Sequence, residues 1–294
     1  MAGLKEIRTR ISSIKTTRQV TSAMKMVSAA KLKRAQDAII HFRPYASKLY
    51  QILSDIARSS ECLSGSDWCA PREVKRVLLV VISSNRGLCG GFNMNIAKQT
   101  EILIATKYAN QHAAGMVDIL AIGKQTERLL RSLGYSQMVN NNDIWHELDY
   151  DKAEKVVAEI MAQYASFQYD RVELVYNEFV NAVVQMPVSR QLLPIQLDIK
   201  ETGKESDDLM LYEPTRREII QALIPKILKV EFYRALLDSH AAEHGARMTS
   251  MHMATDNATV LIGDLSLVYN KARQASITKE ILEITGGAEA LRNS

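Results

Sequence analysis

LKEIRTRISSIKTTRQVTSAMKMVSAAKLKRAQDAIIHFRPYASKLYQILSDI, residues 4–56, decides the fold. Steps of alternately three and four residues place Leu4, Ile7, Ile11 and Ile14 on one stripe, then Arg18, Thr21, Lys25 and Ser28. Apolar character returns on the same stripe at Leu32, Ala35, Ile39, Phe42, Ala46, Leu49, Leu53 and Ile56. That period marks a long helix with a coiled-coil seam and one polar interruption. Pro44 removes a bond to the carbonyl of Ile40, so a kink is expected there. At a rise of 1.5 Å per residue the segment is about 80 Å long, too long to bury, so it is expected to protrude.

The other end of the chain mirrors this one. A second stripe runs through Ile227, Val230, Leu237, Ala241, Met248, Met251, Ala258, Ile262, Leu265 and Tyr269. Pro214 suits the first turn of a helix, and Pro225 either kinks that helix or restarts it. From Lys226 to about Glu283 only Gly245 and Gly263 weaken the pattern, at about 1 kcal/mol each against Ala. Two long amphipathic helices at opposite ends of one chain have each other as partners, and the intervening domain makes the pairing antiparallel. The polar gap at Arg18–Ser28 then falls opposite Gly245–Asn257. Two readings stand for it: contact with something outside the pair, or buried polar positions that fix register.

Between the ends, VLLVVI at Val77–Ile82 reads as a strand buried on both faces. A glycine-rich loop follows at Ser83–Asn93, then a helix from Met94 to about Tyr108. Further strands are expected at Met116–Ile122 and Arg171–Phe179, with helices at Lys124–Leu133 and Ala153–Phe167. Val183–Leu193 adds an edge strand punctuated by Pro187 and Pro194, and the acidic stretch Ile199–Leu211 reads as a linker. The fold class is therefore α/β: a long antiparallel coiled coil of the terminal helices plus a central Rossmann-like domain with a largely parallel sheet. The expected division is helix 1–59, linker 60–76, α/β domain 77–195, linker 196–213 and helix 214–294.

Chemistry is sparse by comparison. Asn85-Arg86-Gly87-Leu88-Cys89-Gly90-Gly91-Phe92 lies where phosphate loops lie, but it matches neither G-x-G-x-x-G nor the Walker pattern. A tight structural turn is the better reading. No neighbouring motif supplies a base for Cys89. His240 and His244 share a helical face with His252 beyond, yet Ala241 breaks the H-E-x-x-H order, and a packed or solvated surface is expected. Cys62 and Cys69 flank a turn-like segment, with nothing to support a disulfide. No triad, paired carboxylates or metal constellation stands out, so catalytic, cofactor and metal residues are all expected to be none. The sequence also contains no run of roughly 18 apolar residues that would span a bilayer. Aromatic content of 6% with 12 Met suits helix packing better than a large β core. Among the first 59 residues, twelve Lys or Arg stand against three acids, a basic arm that calls for an acidic partner.

Specific blocks carry a resemblance. Leu4–Ile7 and Thr21–Leu32, Ser83–Asn93, Ala246–Met251 with Ala254–Ala258, and Tyr269–Ile281 ending Gly286-Gly287-Ala288 resemble, in order, the γ subunits of F-type ATP synthases. The resemblance implies a non-catalytic central shaft inside a ring of three α and three β subunits. It would couple rotation of the membrane c-ring to ATP synthesis or hydrolysis at the β subunits. It also implies that Met24 and Lys25 face an acidic loop of β and that Arg273, Gln274 and Thr278 hydrogen-bond β elsewhere on the shaft. The α/β domain would bind the ε subunit and the c-ring. The chloroplast members' inserted cysteine pair has no counterpart here, so redox control is not implied. No transit peptide is read before the first helix, so a bacterial protein at the cytoplasmic face of the inner membrane, peripheral to it, is expected. The basic arm leaves an alternative, a coiled-coil scaffold or nucleic-acid binder, which a steep salt dependence of DNA binding would mark.

Overall fold

Residues 3–57, 68–70, 72–135, 138–145, 148–195, 213 and 215–292 are described by the computed structural model. Cys62, Pro214 and the acidic stretch at 199–211 lie outside them. Two units form: one from residues up to Ser28 together with those from Met248 onward, the other Ala29–Arg247. Helix α1 is Leu4–Ala57 and α6 is Arg216–Arg292, and both contribute to both units.

The larger unit is built on a five-stranded sheet in the order β3-β2-β1-β4-β5. Its strands are β1 Val77–Ile82, β2 Val117–Ile122, β3 Met138–Asn140, β4 Arg171–Phe179 and β5 Gln185–Leu193. β1 pairs in parallel with β2 and β4, β2 with β3, and β5 closes the edge antiparallel to β4. Every residue of β1 is buried, the mark of a strand covered on both faces. Its alternate side chains separate accordingly: Val77, Leu79 and Val81 join Ile96, Ile104 and Leu130, whereas Leu78, Val80 and Ile82 join the other core. Helices α2 Phe92–Lys107 and α4 Lys124–Ser132 supply the first core, with the short α3 Ala109–Ala113 following α2. The second core combines α5 Tyr150–Ala165 with the C-terminal part of α1 (Ala46, Leu49, Leu53 and Ile56) and the N-terminal part of α6.

In that part of α6 the burial is not confined to one stripe. Ile220, Ile224, Ile227, Leu228, Val230, Phe232 and Leu236 are all buried, because α6 is packed on several sides at once. This packing lets α6 run unbroken through Pro225. A proline inside a helix costs about 3 kcal/mol, which the flanking Ile224, Ile227 and Leu228 offset by burial. The start is fixed by Thr215, whose hydroxyl accepts the Glu218 N–H at 3.3 Å, the Thr-x-x-Glu spacing of a capping box.

In the smaller unit the seam appears as its period predicts. Ile7, Thr21 and Ser28 are buried and Leu4, Ile11, Ile14, Arg18 and Lys25 are half-buried. Met251 and Ala258 are buried opposite them. The two helices run antiparallel: Thr21 Oγ1 lies 2.8 Å from Thr255 Oγ1, and one turn along, Lys25 Nζ lies 3.3 Å from His252 Nδ1.

Candidate functional site

The loop after β1 occupies the end of the sheet where a doubly wound fold would bind a ligand, and it is filled with protein. Asn93 Oδ1 accepts the Ser84 N–H at 3.1 Å, and its Nδ2 donates to Cys89 Sγ at 3.2 Å, closing the loop on itself. Asn85 Oδ1 accepts the Lys124 N–H and Asn142 Oδ1 accepts the Gly123 N–H, while Ser83 Oγ accepts the Thr126 N–H. The first amides of α4 are thus satisfied by side chains of the protein itself. Gly123 is required here: at φ +123° a Cβ would stand 2.4 Å from the Ser83 carbonyl oxygen. Over the loop lies Arg247 of α6, which donates to the Arg86 carbonyl at 2.9 Å and the Gly87 carbonyl at 3.3 Å and pairs with Glu243 at 2.5 Å. Cys89 and Phe92 pack on Ala242 and Ala246 of the same helix. The loop is a brace that grips α6.

Cys89 is buried, and burial holds its thiol proton above the ordinary range, so it is a packed side chain, not a nucleophile. The two helical histidines are packed too. His240 stacks on Trp145 with centroids 5.7 Å apart, and His244 Nε2 lies 3.2 Å from His240 Nε2. Burial lowers His240 to about 4, helped by Lys31 and Arg247, and lowers His244 to about 3, helped by His240 and Arg247. Both rings are neutral at physiological pH. Arg247 Nη1 stands 3.5 Å from His244 Nδ1, which assigns the His244 proton to Nε2 and makes His240 its acceptor. His252 lies in the other unit and is exposed. Among the described residues no group of three or more His, Cys, Asp or Glu could hold a metal ion.

Met24, Lys25, Arg273, Gln274 and Thr278 all fall in the smaller unit. Met24 and Lys25 are half-buried, and Arg273, Gln274 and Thr278 are exposed. Thr278 Oγ1 donates to the Gln274 carbonyl at 2.9 Å, so any further bond of that hydroxyl is one it accepts. Since Arg273 lies eighteen residues beyond Thr255, the two sets are separated along the helix by about 27 Å or more. The polar gap partly satisfies itself, through Thr21 with Thr255 and Lys25 with His252, while its outer side remains apolar. Met26 is 64% exposed, with Val20, Val27, Met253, Val260 and Leu267 each at least half exposed. At the far end of α6, Leu282 and Ile284 are exposed as well. Helices with apolar side chains on the outside as well as in the seam present a surface for other chains. That outer surface was not read from the sequence, although the adjacent Met26-Val27 and Leu267-Val268 pairs, which cannot both enter one seam, signalled it.

Comparisons with known proteins agree on one family. The family model described as ATP synthase matches residues 3–291. The chain is 49% identical over 291 residues to the ATP synthase gamma chain of Christiangramia forsetii, covering 99% of both. It is 48% identical over 297 residues to that of Cytophaga hutchinsonii, covering both completely. Among solved structures, a chain of the mitochondrial ATP synthase OSCP/F1/c-ring assembly of Euglena gracilis matches with a TM-score of 0.69 at 20% identity, over 98% of this chain and 94% of that one. A chain of the rotor of the same enzyme matches with a TM-score of 0.64 at 19% identity, over 93% and 98%. Those two likenesses concern the fold.

Proposed function

This chain belongs to the ATP synthase gamma-chain family, and from that membership we propose that it is the central rotor shaft of an F-type ATP synthase. The observation that carries the reading beyond family likeness is the helix pair in the smaller unit, whose seam is closed internally while Val20, Met26, Val27, Val260 and Leu267 face outward. A coiled coil that served only itself would direct such side chains inward. A shaft turning inside a ring needs a different surface: apolar and weakly directional, so that no single angle is a deep trap, with a few polar groups that mark particular angles.

In this reading Met24 and Lys25 meet an acidic loop of a β subunit, and Arg273, Gln274 and Thr278 hydrogen-bond a β subunit about 27 Å or more along the helix. Three α and three β subunits surround the pair, and the α/β domain carries the ε subunit and meets the c-ring. The chain itself performs no chemistry. It converts rotation into an ordered sequence of β-subunit states, a coupling of conformations through a rigid element. Its place is peripheral, at the cytoplasmic face of a bacterial inner membrane; among the described residues no helix is long and apolar enough to cross one.

The test is assembly. Mixed with α and β subunits, the full chain should yield a stable complex whose ATP hydrolysis depends on it. Hydrolysis at the same rate with the chain omitted, or no complex at all, would overturn the reading.

A further inference from the structure

On the larger unit, a cleft of about 650 Å³ opens between α1, α6 and the end of β4, within the range of roughly 300–1,000 Å³ usual for small-ligand sites. Ile39, Phe42 and Ala46 line it from α1, Leu237 from α6, and Phe179 from β4. Asp238 also lines it, with only 9% of its surface exposed. Among the described residues no donor lies within hydrogen-bonding distance of this carboxylate. Arg234 Nε stands 4.0 Å away and its guanidinium is shared with Glu231 at 3.5 Å. The Asp238 side chain is 12% exposed, so its carboxylate is largely desolvated, and one long contact to Arg234 only partly compensates it.

We propose that this cleft binds an ammonium group carried on an aliphatic stem, a ligand of the polyamine class, with Asp238 as its counter-ion. The stem would lie along Phe42, Leu237 and Phe179, and the ammonium would supply the donors that Asp238 lacks. Two neighbouring cations are already engaged: Arg190 holds Glu178 at 2.8 Å, and Arg234 is shared as described. Arg43 lies at the rim and is exposed. An anionic ligand would have to sit against the Asp238 carboxylate, whereas a cation completes it. Burial raises Asp238 to about 6, with Glu178 and Glu231 raising and Arg234 and Arg190 lowering. The charged and titratable groups around it are therefore Arg234 and Glu231 of α6, Glu178 and Tyr176 of β4, Arg190 of β5, and Arg43 and Tyr50 of α1. Binding needs the ionised carboxylate, so affinity should fall by about tenfold from about pH 7.5 to about pH 5.

The experiment is calorimetric titration of the full chain with spermidine in about 0.15 M salt, where loose surface binding is screened. One saturable site is expected, weakened more than about tenfold by Asp238→Asn, which keeps the side-chain shape. A melting temperature for this variant at or above the parent's shows that it folds. Arg43→Ala, at an exposed position, should leave affinity unchanged or tighten it. Equal affinity in Asp238→Asn, no saturable binding to the parent, or lost binding in Arg43→Ala would each overturn the proposal. So would a lysine-containing peptide that binds where spermidine does not, since the cleft would then belong to a partner chain.

Discussion

Replacing Arg247 with Met removes the group that holds the loop after β1 onto α6. Arg247 is 7% exposed, pairs with Glu243 at 2.5 Å, and donates to the Arg86 and Gly87 carbonyls. Methionine keeps most of the volume but leaves the Glu243 carboxylate buried and alone. Breaking a buried pair from one side costs about 3–5 kcal/mol, most of it the charge left behind. The two loop carbonyls add about 1 kcal/mol each if water does not reach them. The expected loss is therefore about 5–7 kcal/mol for the larger unit. Removing both partners, as Arg247→Met with Glu243→Met, strands no charge and should cost only about 1–2 kcal/mol. The double variant should thus be more stable than Arg247→Met alone by roughly 3–5 kcal/mol, the cost of the stranded charge. Urea unfolding followed by tryptophan fluorescence is a suitable assay, because Trp145 stacks on His240 two turns from Arg247. A loss below about 1 kcal/mol for Arg247→Met would refute the brace, and so would costs that simply add in the double variant.

Asp238 should give a pH signature of its own. Its folded pKa, about 6, lies above the ordinary value of 3.8, so its protonated form stabilises the fold below about pH 4 and that contribution is lost as pH rises through about 6. Asp238→Asn should match the parent near pH 4 and exceed it by about 2–3 kcal/mol near pH 7.5; a variant less stable than the parent at pH 7.5 would contradict this. Gly123→Ala should prevent folding or cost more than about 3 kcal/mol, since its Cβ meets Ser83. Gly115→Ala, at φ +69° with open space, should cost only about 1 kcal/mol, and similar melting temperatures for the two would refute the steric argument. Filling Arg18, Thr21, Lys25 and Ser28 with Leu should preserve or raise helix-pair stability while impairing coupling. Normal ion-driven ATP synthesis by that variant in reconstituted vesicles would show that the gap makes no external contact.

The terminal seam was legible because its period is sustained from Leu4 to Ile56, and every residue it selected is buried or half-buried in α1. β1, β2 and β4 were legible as short apolar runs, with bounds within a residue. β3 was not, because three residues, Met138–Asn140, are too few to show a period. At Pro225 the sequence left a kink or a restart open, because local propensity opposes a helix there; packing overrides it and α6 runs through. The near-continuous apolar content of ILKVEFYRALL, residues 227–237, was the available signal, since a helix apolar on all sides is enclosed. The loop at 85–92 could be read as a turn, but Arg247, which holds it, is more than 150 residues away and no local pattern links the two. The same holds for Thr21 with Thr255: two polar residues in two seams reveal their bond only once the antiparallel register is known. Asp238 looked like any acid on an amphipathic helix until burial set it apart.

A rotor shaft must turn when its complex hydrolyses ATP. With α and β subunits fixed to a surface, a probe can be attached through Lys98→Cys, at an exposed position of α2, in a chain whose Cys62 and Cys69 are replaced by Ser. Video microscopy of the probe after ATP addition measures rotation directly. Stepwise turning in one direction is expected, three steps per revolution, stopping when ATP is removed. Steady ATP hydrolysis by complexes whose probes only diffuse back and forth would contradict it.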